Sequence, residues 1–122
     1  MGLLVTEKRP ISQRHERAIC YALLQIRTSL LAPFVKDVLL YGSCARKEQR
    51  WKSDVDLCMI LNVSVEKLKD YKKALHMLKG QISEEHANSA EVDLKILIGD
   101  DWEKDNTLFY RNLRKDGISI WQ

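Results

Sequence analysis

Apolar residues recur every three or four positions from about Ser12 to Leu31, and the period then shortens. Ile19, Ala22, Leu23, Ile26 and Leu30 would share one face of a helix. Ser12 can cap it, Glu16 suits its first turns, and Pro33 ends it. Three short apolar runs of strand length follow: Lys36 to Tyr41 (KDVLLY), Asp54 to Leu61 (DVDLCMIL) and Glu91 to Ile98 (EVDLKILI). Gly42-Ser43 reads as a turn, and Ala45 to Gln49 as a short helix. Ser64 can cap a helix carrying Leu68, Tyr71, Leu75, Leu78 and Ile82, again spaced by three and four. Asp105 to Lys115 is a last amphipathic helix, with Gly117 at the place of a C-terminal glycine stop. Ile118 to Trp121 adds a short final strand. Strands alternating with helices predict an α/β (α+β) fold, a small mixed β-sheet with helices packed on it. The apolar stripes themselves read simply as core.

Composition narrows the class. The chain has 122 residues, so residues 1–122 are expected to form a single domain. At 45% hydrophobic it can build a core without staples. A net charge of +3 with mixed signs gives no argument for direct nucleic-acid binding. Cys20, Cys44 and Cys58 are an odd set with no CxxC pair, which argues against a disulfide framework and a zinc site. Reduced thiols fit the cytoplasm. Met1 to Arg9 holds only a brief apolar run and does not read as a signal peptide, and no stretch has the length of a membrane span.

The candidate chemistry lies in three places. Side chains alternate along a strand, so Asp54 and Asp56 share a face while Val55, Leu57 and Met59 turn to the core. Two carboxylates so placed are either a solvated edge or a cation site. Asp93, flanked by Val92 and Leu94, joins them if its strand is their neighbour. Three carboxylates without a His or Cys partner form a hard oxygen site suited to Mg²⁺ or Mn²⁺. Two such ions about 3.5–4 Å apart clamp both oxygens of an in-line phosphoryl displacement. Gly42 lets a phosphate approach the backbone, and Ser43 offers a hydroxyl and an N–H. The P-loop spacing is absent.

The lesser candidates carry weaker signals. Ser53 caps the loop before its strand or touches the nucleotide, and the two readings stand level. Arg46, Lys47, Arg50 and Lys52 form a basic run that reads as a solvated face, with Arg46 the one to steer a nucleotide. His15, His76 and His86 lack metal-like spacing and are expected on the surface or on helices. Trp51, Trp102 and Trp121 are expected to be packing residues.

Gly42-Ser43-Cys44-Ala45-Arg46-Lys47, then five residues, then Ser53-Asp54-Val55-Asp56-Leu57, resembles the GSxARG…SDxDL signature of the DNA polymerase β-like nucleotidyltransferase superfamily. More narrowly, it resembles the minimal nucleotidyltransferases. Glu91-Val92-Asp93-Leu94 is similar to that family's third carboxylate strand. The resemblance implies the polymerase β-like fold, with Gly42 and Ser43 on the triphosphate of ATP or another NTP. It implies that Asp54, Asp56 and Asp93 hold two metal ions, Asp93 also helping to deprotonate an acceptor hydroxyl. The family's second glycine is Lys47 here. If that position needs φ > 0 the lysine is strained, and if it is helical the lysine is harmless.

Minimal nucleotidyltransferases are often paired with HEPN-domain toxins in toxin–antitoxin systems. The resemblance therefore implies an antitoxin that transfers NMP, AMP foremost, to a hydroxyl of a HEPN-type partner protein. Two alternatives stand beside it: a non-catalytic module that neutralises its partner by covering it, and a small-molecule nucleotidyltransferase of the antibiotic-modifying kind. The first helix can pack on its own sheet or form the face of a homo-oligomer.

Overall fold

The computed structural model describes residues 11–83 and 89–121. The Met1 to Arg9 segment and His86 lie outside the described residues. Helix α1 (Gln13–Arg27) opens with Ser12, whose hydroxyl accepts the His15 N–H. It stops at Arg27, short of the expected Leu31, because Thr28 already caps it and Pro33 sits in a separate 3₁₀ turn, Ala32–Phe34. Leu30, counted on the apolar face, is 70% exposed as a result. Strand β1 (Val35–Tyr41) runs directly into the one-turn helix α2 (Gly42–Ala45). That helix begins at the glycine itself, not at Ala45 as the sequence suggested.

Strand β2 (Val55–Leu61) follows, then the short helix α3 (Val65–Leu68), capped by the Ser64 hydroxyl. A 3₁₀ turn at Lys69–Tyr71 leads from it into α4 (Lys72–Ser83), and the backbone stays helical across the join, so the expected helix is one run with a tightened early turn. Strand β3 (Val92–Ile98), helix α5 (Leu108–Asp116) and a two-residue strand β4 (Ile118–Ser119) complete the chain. Gly117 does not close α5 in the left-handed form: its φ is −63°. Its small size matters for another reason, since a Cβ there would run into the Leu113 carbonyl oxygen.

The sheet order is β3-β2-β1-β4. β1 is antiparallel to β2 and β4, and β2 is parallel to β3, so the sheet is mixed as expected. β2 lies inside, and its alternate residues feed two cores. Val55, Leu57, Met59 and Leu61 join Ala18, Ala22, Ile26, Leu78 and Ile82 of α1 and α4. Cys58 and Ile60 face Leu39 and Leu113 on the α5 side. Each fully buried aliphatic side chain here contributes about 1.5–3 kcal/mol. Among the described residues no helix is long and apolar enough to cross a membrane.

Candidate active site

Asp56 and Asp93 share the α5 side of the sheet because of register. The parallel pairing sets Asp56 opposite Asp93, and the antiparallel pairing sets Tyr41 opposite Asp56. Asp54 stands just before β2 and is exposed. Gly42 follows Tyr41 with φ +73°, and a Cβ placed on it would overlap the Asp56 carboxylate oxygen. The glycine therefore serves two ends. Its backbone takes a conformation that side chains disfavour, and the space it leaves belongs to Asp56. Ser43 begins the turn of α2 next to it, half-buried.

Asp56 is half-buried, and burial pushes its carboxyl above the ordinary range. The neighbouring charges of Asp93 and Asp54 push the same way, while Lys95 and Arg46 pull it down. Burial, with the Asp56 and Asp93 charges behind it, also drives the Tyr41 phenol upward. The Cys44 thiol is pushed up to about 11 and that of Cys58 to about 12, both chiefly by burial, so neither is a ready nucleophile. Asp93 differs from expectation. It is exposed, not enclosed, because β3 lies at the sheet edge and odd positions of its first half turn outward. Its carboxylate takes a hydrogen bond from Lys95 Nζ at 2.8 Å. That bond is the main cause holding the Lys95 ammonium charged.

The other predicted residues are spoken for by the protein itself. Arg46 pairs with Glu48 at 2.7 Å and with Asp116 at 3.2 Å, joining α2 to the end of α5. The Ser53 hydroxyl accepts the Arg50 N–H at 2.8 Å, the loop-capping arrangement. Lys47 sits at φ 61°, so the position does demand the left-handed region. Trp51 is a correction: it is 69% exposed, with the Arg14 guanidinium 5.0 Å from its ring. It lies in a surface turn, with Arg50 and Lys52 exposed on either side of it. His15 lies on a helix as expected, and it is buried on the inner face of α1. His15, Ala18, Ala22 and Ile26 follow helical spacing, so its burial was written in the periodicity. Lys95 and Tyr41 were missed as well. Lys95 lies two residues after Asp93 on one strand, and that spacing was the available signal.

The donor set fits a hard divalent cation. Asp56, Asp93 and Asp54 supply oxygen ligands only, and the like-charge pressure on Asp56 is what a cation relieves. Among the described residues, no three His, Cys, Asp or Glu side chains are gathered closely enough to hold a metal ion as they stand. One of the two Asp93 carboxylate oxygens is taken by Lys95, which leaves the other to join such a set.

A glycine turn opening a helix, with in-register aspartates on parallel strands beside it, is the frame of a nucleotidyl-transferring domain. Residues 22–115 match the family model of the nucleotidyltransferase domain, and the chain belongs to that family. Its fold is similar to that of a Sulfolobus solfataricus protein proposed to be a nucleotidyltransferase: TM-score 0.50, 18% identity, covering 88% of this chain and 85% of that one. A crystal structure of a toxin–antitoxin with AMP-PNP matches at TM-score 0.47 and 17% identity, covering 87% of this chain and 72% of that one. No curated protein matches the chain.

Proposed function

We propose that this chain moves a nucleoside monophosphate, AMP foremost, from an NTP to a hydroxyl on a partner protein. The observation that carries the reading is the pairing of Asp56 with Asp93 beside Gly42, whose missing side chain leaves room for the Asp56 carboxylate. Gly42 and Ser43, at the start of α2, would receive the triphosphate through backbone N–H groups and the Ser43 hydroxyl. Arg46 would lend positive charge from the same turn. Ser53 would hold the loop before Asp54, within reach of the nucleotide's edge.

Asp54, Asp56 and Asp93 would hold divalent cations, Mg²⁺ or Mn²⁺, two by the resemblance. Such ions, when bound, supply charge neutralisation and alignment for in-line displacement at the α-phosphate. The acceptor oxygen forms a bond to the α-phosphorus, the bond from that phosphorus to the bridging oxygen breaks, and pyrophosphate leaves. The acceptor proton passes to Asp93, the most exposed of the in-register pair and so the one a macromolecular hydroxyl can reach. The resemblance to minimal nucleotidyltransferases supplies the partner class, a HEPN-type toxin, and with it an antitoxin role in the cytoplasm.

A second reading rests on one observation. Asp93 is paired with Lys95, and among the described residues no three donors are gathered, which suits a non-catalytic module that covers its partner. One experiment separates the two. The protein is incubated with its partner, Mg²⁺ and labelled ATP, and the partner is weighed by mass spectrometry. Transfer predicts a gain of one AMP, lost in Asp54→Asn and Asp56→Asn. No gain, with the double variant still neutralising the partner, would leave only the covering role.

A further inference from the structure

The first turn of α1 takes no part in the carboxylate site, yet it holds the chain at both points leading into it. His15 is 1% exposed, with both ring nitrogens engaged. Nε2 lies 2.8 Å from the Ser53 carbonyl oxygen, and Nδ1 lies 2.5 Å from the Ser12 hydroxyl. A carbonyl only accepts, so Nε2 carries the proton, and in the neutral ring Nδ1 receives the Ser12 O–H. The Ser12 oxygen in turn accepts the His15 N–H at 3.2 Å.

Beyond the ring the ties continue. Ser53 donates its N–H to the Arg50 carbonyl at 3.0 Å, and its hydroxyl accepts the Arg50 N–H. Arg14, next to His15, takes the Ala90 N–H on its carbonyl at 3.3 Å and sets its guanidinium over Trp51. The Val55 N–H donates to the Glu91 carbonyl at 2.8 Å, joining the starts of β2 and β3. One helical turn thus braces residues 50–53, which lead to Asp54, and residues 90–91, which lead to Asp93.

We propose that His15 is a positioning residue: by holding the Ser53 carbonyl it fixes the Ser53–Asp54 peptide, and with it the approach of the Asp54 carboxylate to Asp56 and Asp93. The inference rests on the proposed carboxylate site. A pure packing role would be met by an apolar ring of similar size. The chain instead buries an imidazole whose donor and acceptor are both matched, one of them 38 residues away.

The test uses the full chain with His15→Phe and His15→Gln, glutamine offering an amide N–H for the Ser53 carbonyl. Hydrogen–deuterium exchange is read at residues 50–56 and across β1, together with kcat and KM for AMP transfer to the partner protein. Phenylalanine is expected to lose protection at 50–56 but not in β1, and to lower kcat about tenfold or more with KM for the partner little changed. Glutamine is expected to restore both within about threefold of the wild type. Phenylalanine with wild-type exchange and kcat overturns the proposal. So does a loss shared evenly by both variants and by β1, which marks a merely structural histidine. If the wild type transfers no AMP, the functional reading fails, while exchange confined to 50–56 still decides the brace. If the phenylalanine variant does not fold, glutamine alone decides: native exchange at 50–56 supports the brace, and lost protection there overturns it.

Discussion

Replacing Lys47 by glycine is expected to stabilise the protein. Lys47 is the one non-glycine residue at positive φ among the described residues, at 61°. It follows Arg46, which ends α2, and its N–H still reaches the Cys44 carbonyl at 3.2 Å. The position is the left-handed step out of a one-turn helix, where glycine meets no Cβ penalty. Holding an L-residue there costs about 1–2 kcal/mol. Glycine's extra freedom in the unfolded chain takes back about 0.4–1 kcal/mol. The net gain is about 1 kcal/mol, or about 3–5 °C in melting temperature for a chain of this size. Urea unfolding should show a higher midpoint at unchanged slope. Lys47→Ala is the control, since it keeps the Cβ while removing the charge, and it should stay near the wild type. If glycine and alanine move the midpoint equally, or glycine lowers it, the backbone argument is wrong and the lysine side chain governs the site.

Gly42→Ala should cost about 2 kcal/mol in urea unfolding, because the new methyl must share space with Asp56 at an unfavourable φ; AMP transfer should fall about 100-fold as that carboxylate is displaced. Asp56→Asn should raise the melting temperature of the metal-free protein at neutral pH while abolishing transfer. The sign follows from the raised carboxyl: the unfolded chain ionises first, so the wild type loses stability as pH rises through the ordinary carboxylate range towards the folded value. The advantage of the variant should therefore vanish near pH 3, where both forms are neutral, and shrink in high salt. Added Mg²⁺ should raise the wild-type melting temperature and leave Asp56→Asn little changed. Leu57→Ala, in the middle of the central strand, should cost about 3 kcal/mol in urea unfolding without altering the in-register aspartates.

Much of this protein could be read from its residues in order. Apolar periodicity located the helices and strands, because burial on one face leaves a period of about 3.6 or 2 that needs no knowledge of the partner surface. Strand alternation put Asp54 and Asp56 on one face, the motif resemblance added Gly42 and Asp93, and helical spacing could have placed His15 on the buried stripe of α1. Boundaries were less legible. α2 starts at Gly42 and α1 stops at Arg27, because caps and tight turns are settled by single hydrogen bonds that leave no periodic trace.

Other matters depend on residues far apart in the chain, and only the tertiary structure decided them. That Asp93 stands opposite Asp56 follows from parallel pairing of strands with 36 residues between the two positions, and its exposure follows from β3 lying at the sheet edge. The salt bridge of Arg46 to Asp116 and the hold of His15 on Ser53 are likewise long-range, and the left-handed backbone of Lys47 is a conformational fact. Local sequence determines which face a side chain takes along its own element. Which other side chains it meets there is determined by how the elements are brought together.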